Sequence, residues 1–229
     1  MTPSEKLKKV VEYYEGQDGF RYGLKIVSPF ADEYKKLVLY GAEFVEVLPG
    51  NTEIIENDCS RHRLIVAHVN ENAVFEYVET AKGETSAKCD IYVFLRGRGA
   101  KAKISGRYDI SGGVLDLYHK VYHEAPNTVS EIITRGVLRG GAHVIYRSDI
   151  VMEKGLTGLS GIQDGKFLTL SKEAKVDAIP SLNIASNAVN CSHSLSITNI
   201  TPEDLFYAGT RGLGEKEAGE LLVSGFLNI

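Results

Sequence analysis

From about Lys35 to Asn199 the apolar residues of this chain recur at every second position, and no capped run of ten residues with helical spacing interrupts them. Ala100, Ala102 and Ile104 alternate with Lys101, Lys103 and Ser105, and Tyr108 and Ile110 extend the same parity. Val144, Tyr146, Ile150 and Met152 share another, and Ala174, Val176 and Ala178 alternate with Lys175 and Asp177. Successive side chains of a strand point to opposite faces, so the pattern marks strands with one face buried. Without helices between the strands there are no βαβ units, and the predicted class is mainly β. A weak repeat, a turn followed by alanine and then alternating apolar residues, begins at Asn72-Ala73, Gly99-Ala100, Gly141-Ala142, Glu173-Ala174 and Asn187-Ala188. Its spacing is irregular, so a β-helix and a β-sandwich both fit the pattern.

The two ends read differently. Thr2-Pro3-Ser4-Glu5 offers an N-cap, a proline at N1 and a glutamate at N3, and Leu7, Val10, Val11 and Tyr14 follow at helical spacing before Gly16. Thr201-Pro202-Glu203-Asp204 opens a second helix, through Leu205, Phe206 and Tyr207 to Gly212. A third begins at Gly214-Glu215, with Ala218, Leu221 and Leu222 as its apolar stripe. The expected organisation is an N-terminal helix and lead-in over 1–34, a β-body over 35–199 and a helical region over 200–229.

Composition removes several function classes. Of 229 residues 43% are hydrophobic and 24% charged, the profile of a soluble globular protein, and no apolar run nears the length needed to span a bilayer. The first ten residues lack the apolar core of a secretory signal, so a cytoplasmic location is expected, with no membrane partner. A formal charge of −4 argues against nucleic acid as a partner. Three widely spaced cysteines, Cys59, Cys89 and Cys191, exclude a disulfide framework or a four-cysteine metal site within one chain.

Most candidate motifs have a structural reading that outweighs the chemical one. Gly97-x-Gly99-x-x-Ala102 follows a strand-like run, as a dinucleotide-binding turn does, but the residues after it alternate instead of forming the required helix. His119 and His123 sit in a Tyr- and Val-rich strand, about 13 Å apart on one face, too far to share an ion. Arg96, Arg98, Lys101 and Lys103 read as a solvated strand face. Asp109, Asp116 and Glu131 lack the spacing of a paired-carboxylate glycosidase site. Cys191 and His193 differ, because residues i and i+2 of a strand share a side with Cβ atoms about 7 Å apart. A thiolate and an imidazole suit zinc or iron, although two ligands make half a site.

The last hundred residues carry a resemblance. Glu124-Ala125-Pro126-Asn127-Thr128-x-Ser130, Arg135-Gly136-Val137-Leu138, Ala174-x-Val176-Asp177-x-x-Pro180-x-Leu182 and Val189-x-Cys191-Ser192-His193 stand in order, followed by Leu205-Phe206-Tyr207, Arg211-Gly212-Leu213 and Gly225-Phe226. Together they resemble the core of the SufB/SufD family, closely from about His123 onward and by strand character alone between Lys35 and Tyr122. The resemblance implies a right-handed parallel β-helix with a helical C-terminal region, acting as a non-enzymatic scaffold in SUF-type iron–sulfur cluster assembly. It implies pairing with a second SufB/SufD-like subunit or with itself through the β-helix edge, and an ABC-type ATPase, SufC, as partner. Cys191 and His193 would then hold a nascent cluster, transiently, where subunits meet. Leu205, Phe206, Tyr207, Leu221, Leu222 and Phe226 would form the ATPase dock, and Cys59 and Cys89 would be structural thiols. The family usually follows Cys-Ser-His with Gly-Ala-Thr, where this chain has Ser194-Leu195-Ser196. The competing readings are an adaptor that docks the ATPase and holds no cluster, and a carbohydrate-active β-helix enzyme.

Overall fold

A computed structural model describes residues 41–227 and Pro29; the helix expected within residues 1–34 lies outside the described residues. Twelve strands follow one another: β1 (Glu43–Val47), β2 (Thr52–Asn57), β3 (Arg63–Val69), β4 (Val74–Glu84), β5 (Ala87–Leu95), β6 (Lys101–Gly112), β7 (Val114–His123), β8 (Val129–Leu138), β9 (His143–Met152), β10 (Leu159–Thr169), β11 (Lys175–Ile184) and β12 (Val189–Asn199). The odd strands form one six-stranded sheet in the order β1-β3-β5-β7-β9-β11, and the even strands form the other, β12-β10-β8-β6-β4-β2. Every pairing among the described strands is parallel, and each strand pairs with the one two places along the chain. A chain that crosses between two sheets at each step and always returns in parallel is a solenoid. The β-helix is therefore the fold, and the sandwich is not.

The alternation works as the periodicity requires. Ala67, Val93, Val121, Ile150 and Leu182 stand in register on successive odd strands and run as a column through the interior. The first four are fully buried, and each contributes roughly 0.5–3 kcal/mol as apolar area leaves water. Opposite them Phe75, Ala102, Ser130 and Gly161 form a matching column on the even strands. One turn of the coil takes 22 residues between Glu43 and Ile65 but 32 between Ser148 and Pro180, which is why the repeat is irregular in sequence.

The corners explain the glycine motif. A Cβ on Gly97 would stand 1.9 Å from the backbone nitrogen of Glu71 and 2.1 Å from the carbonyl carbon of Asn70, so the corner of one turn rests directly on the corner beneath it. Gly99 adopts a φ of 74°, and β6 starts two residues later. The turn stacks coil on coil and opens no helix, so it lacks the pyrophosphate-binding helix end.

Beyond β12 the chain forms α1 (Pro202–Thr210) and α2 (Glu215–Leu227). Thr201 caps α1 through a full capping box with Asp204, and Gly212 follows at a φ of 87°. Helix α2 lies against the outer face of the even sheet, where Val223 joins Val137 and Leu168 in a small apolar cluster with Phe226 and Leu227 beside it. The stripe that meets the β-body is thus built on Val223, Phe226 and Leu227, with Ala218 also buried; Leu221 and Leu222 are exposed. The difference arises because Val223, Phe226 and Leu227, at i, i+3 and i+4, share the helix side that meets the β-body, and Leu221 and Leu222 lie on another side.

Candidate functional site

Cys191 and His193 lie on β12, the last strand of its sheet, which pairs with β10 and with no strand beyond it among the described residues. Their partners in register are Gly161 and Gln163, both buried inward-facing positions of β10. The two side chains therefore occupy the interior parity of the coil on its final turn. Cys191 is half-buried against the interior cluster, whereas His193 is exposed. The contrast with earlier turns is informative: in the column Phe75, Ala102, Ser130, Gly161, Cys191, every member before Cys191 is covered by the turn above it. Burial pushes the Cys191 thiol above its usual range, so deprotonation requires a cation or a donor to arrive.

Close packing beneath the motif depends on β10 glycines. A Cβ on Gly161 would stand 2.9 Å from Met152 Cε, and one on Gly165 would stand 3.1 Å from Leu195 Cδ1. Leu195 thus fills the interior over Gly165, while Ser194 points outward and donates to Asp164, which also pairs with Arg135. The departure from Gly-Ala-Thr therefore leaves Cys191 and His193 on the same face and adds an outer polar ladder, Ser194–Asp164–Arg135.

The interior also holds a polar constellation that sequence reading missed. Glu79 of β4 is fully buried and accepts four hydrogen bonds. Asn57 Nδ2 donates at 2.9 Å and the Tyr77 hydroxyl at 2.6 Å to Oε1; the Tyr108 hydroxyl at 2.6 Å and His119 Nε2 at 3.0 Å reach Oε2. Burial alone would push the carboxyl up, but the bond and charge of His119, followed by the two tyrosines, hold it below its usual value. Cys59 and Cys89 close the group: among the described residues, Cys59, Glu79 and Cys89 are the one set of three metal-ligating side chains with ligand atoms within 4.8 Å of one another. The available signal was Glu79 itself, an acid on the apolar parity of Phe75-x-Tyr77-x-Glu79-x-Ala81.

The remaining candidates are structural. His119 is committed to Glu79, and His123 lies between Thr128 Oγ1, 2.7 Å from Nδ1, and Ser130 Oγ, 2.8 Å from Nε2. Asp109 pairs with Arg139 and Asp116 is buried against Lys88 and Arg147, so neither is a free carboxylate. Lys101 and Lys103 are exposed, and Arg96 pairs with Glu124.

Comparison with known proteins decides the lineage. The family model described as "SUF system FeS cluster assembly, SufBD core domain" matches residues 56–226, most of the chain. This chain belongs to the SufBD family. A protein of Staphylococcus epidermidis named "Iron-sulfur cluster assembly SufBD family protein" is 31% identical over 160 residues, covering 69% of this chain and 34% of its own length. Relatives in Staphylococcus haemolyticus and Staphylococcus aureus show the same identity and coverage. The chain spans about a third of the length of these curated relatives. The match begins at residue 56, well before the motifs that carry the resemblance after His123, so the strands from β3 onward are SufBD core as well.

On this SufBD chain the expected docking residues divide. Phe206 is 75% exposed, Tyr207 62% and Leu221 60%, with Leu222 also exposed, whereas Leu205 is half-buried and Phe226 packs beside Val223 against the β-body. The exposed four put an unusual density of apolar surface on two short helices. No helix among the described residues is long and apolar enough to cross a membrane.

Proposed function

We propose that this chain is a non-enzymatic, cytoplasmic scaffold of the SUF system on which a nascent iron–sulfur cluster is held in transit. The observation that carries the reading is the placement of Cys191 and His193: interior parity on the last described turn, with no strand above among the described residues. A thiolate and an imidazole nitrogen on one strand face supply two ligands to iron. Tetrahedral iron needs four, so sulfide and a second subunit complete the set. The edge of β12, unpaired among the described residues, supports that pairing, because an open strand edge presents N–H and C=O groups as a template for another strand. The partner is a second copy or a SufB/SufD-like homologue, in an interface of at least about 1,000 Å². An ATPase of the SufC type docks on Phe206, Tyr207, Leu221 and Leu222, and drives the assembly cycle from outside this chain.

Anaerobic reconstitution with iron and sulfide tests the site. The wild type is expected to gain visible absorbance and stoichiometric iron; Cys191→Ser is expected to lose most of both, His193→Ala to lose less, and Cys59→Ser to match the wild type. Full iron uptake by Cys191→Ser and His193→Ala would remove the site and leave an adaptor that docks the ATPase alone. Removal of residues after Thr201 is expected to abolish co-purification with SufC while the β-type circular dichroism persists.

A further inference from the structure

The group formed by Cys59, Glu79 and Cys89 lies far from the open end of the coil, with β6, β8 and β10 between β4 and the edge strand β12. We propose that these three side chains form a buried site for one zinc ion that ties the first turns of the coil together. Cys59 follows β2, Glu79 lies on β4 and Cys89 on β5, so the ligands come from both sheets. All three are essentially without solvent contact, at 1%, 0% and 0% exposure.

Geometry favours an ion. With metal–sulfur distances of about 2.3 Å and metal–oxygen distances of about 2.0 Å, the ligand atoms of a tetrahedral site stand about 3.3–3.8 Å apart. The three ligand atoms here already lie within 4.8 Å of one another, so each needs to move by no more than about 1 Å. The Asn57 amide nitrogen lies beside two of the three ligands, 2.9 Å from Glu79 Oε1 and 3.7 Å from Cys59 Sγ, and 2.9 Å from the Tyr77 oxygen, while the Cys89 thiol donates to Arg61 O at 3.6 Å, a bond it gives up to the ion. Its two hydrogens face three acceptors, which makes that point the electropositive position of the cluster. A divalent ion takes over this role, and Glu79 exchanges its bond from Asn57 for the ion while Tyr108 and His119 keep Oε2 oriented. Ligand carboxylates are ordinarily held by such hydrogen bonds.

The backbone is arranged for this purpose. Cys59 adopts a φ of 52°, a conformation that costs a residue with a Cβ about 1–2 kcal/mol. Asn57 Oδ1 fixes it by accepting from the Cys59 N–H. The strained turn carries the Cys59 thiol into the coil although Ser60 and Arg61 beside it are exposed. Without metal the arrangement disfavours the thiolate, since Cys89, burial and then Glu79 all push the Cys59 thiol up. Metal binding displaces the proton from each thiol, forms two metal–sulfur bonds and one metal–oxygen bond, and releases two protons to solvent with no change of oxidation state.

The test uses the full chain carrying Cys191→Ser, so that the open-end thiol contributes nothing, expressed in zinc-supplemented medium and washed with chelator. The expected result is close to one zinc per chain with a first shell of two sulfurs at about 2.3 Å and lighter atoms at about 2.0 Å by X-ray absorption. Adding Cys59→Ser or Cys89→Ser is expected to lower the retained zinc at least tenfold with an unchanged far-ultraviolet spectrum. If those variants do not fold, the Cys191→Ser protein decides alone. Less than a tenth of an equivalent of zinc, or a shell lacking two sulfurs, overturns the proposal and leaves two packed thiols beside a hydrogen-bonded carboxylate.

Discussion

Glu79→Gln, studied with chelator present, isolates the worth of the buried carboxylate. The substitution keeps the shape but turns one acceptor oxygen into an NH2. Whichever way the amide settles, that nitrogen meets one tyrosine hydroxyl and one nitrogen donor: Tyr77 with Asn57, or Tyr108 with His119. The hydroxyl can rotate and accept; the Asn57 amide nitrogen cannot, and His119 Nε2 accepts only by moving its proton to the buried Nδ1, which has no partner among the described residues. One charge-assisted bond is lost, and one buried donor is stranded, a combined cost of about 3–5 kcal/mol. For a domain whose whole stability is about 5–15 kcal/mol, that corresponds to a fall in Tm of about 10 °C. The pH dependence has a fixed sign. The Glu79 carboxyl is depressed in the folded protein, so its contribution is present above its unfolded value of 4.5 and is lost as pH falls through the folded value. Urea unfolding followed by circular dichroism is therefore expected to show a large gap between wild type and variant at pH 7 that narrows below pH 4. A gap under about 1 kcal/mol at pH 7, or one that persists unchanged in acid, would refute the reasoning.

His123 should make the coil acid-sensitive at higher pH. Thr128 spends its hydroxyl proton on Ala125 O at 3.0 Å, so it accepts from His123 Nδ1–H, and Nε2 accepts from Ser130. Burial lowers the imidazole from its ordinary 6.5 to about 4; the unfolded chain alone takes the proton between those values, and stability falls as pH drops from 6.5 to 4, by about 1.4 kcal/mol per pH unit. His123→Gln should be less stable at pH 7 and flatter over that range, and a wild type whose urea midpoint is the same at pH 7 and pH 5 contradicts the assignment. Val223→Asp should release α2 by placing a charge against Val137 and Leu168, seen as rapid proteolysis after Thr201 with the β-body intact. Gly97→Ala forces the corner off Glu71 and should cost on the order of 4 kcal/mol or more, read as lost soluble yield or a Tm lower by about 10 °C.

Much of this architecture was legible because strand alternation and helix capping are local. Ala100, Ala102 and Ile104 announce their buried face within five residues, and Thr201-Pro202-Glu203-Asp204 announces a helix start within four. The family motif around Cys191 is similarly short. What escaped is set by register. Cys59, Glu79, Cys89 and His119 converge from separate elements on turns of unequal length, and no spacing rule relates 59, 79, 89 and 119. The exposure of Leu221 and Leu222 was hidden for a related reason. Which side of α2 meets the β-body is decided by where Val137 and Leu168 lie on the outer sheet face, and helical period alone cannot supply that.

The location of the candidate cluster site follows from the same stacking. In a parallel coil each inward side chain is covered by its counterpart one turn later, so chemistry inside is sealed wherever the stack continues. Glu79, sealed by Tyr108 and His119 from later turns, is confined to a resident, structural role. Cys191 and His193 have the same inward parity, yet no later turn covers them among the described residues. They differ from Glu79 in their position in the stack, and under the two proposals that difference would separate a held ion from a transferable one. A partner edge that covers β12 would supply the missing turn, bury the pair and complete its ligand set in one step; its departure would reopen the site. Under the proposed function, cargo exchange at this end would need no moving loop, since the association of two edges would itself be the gate.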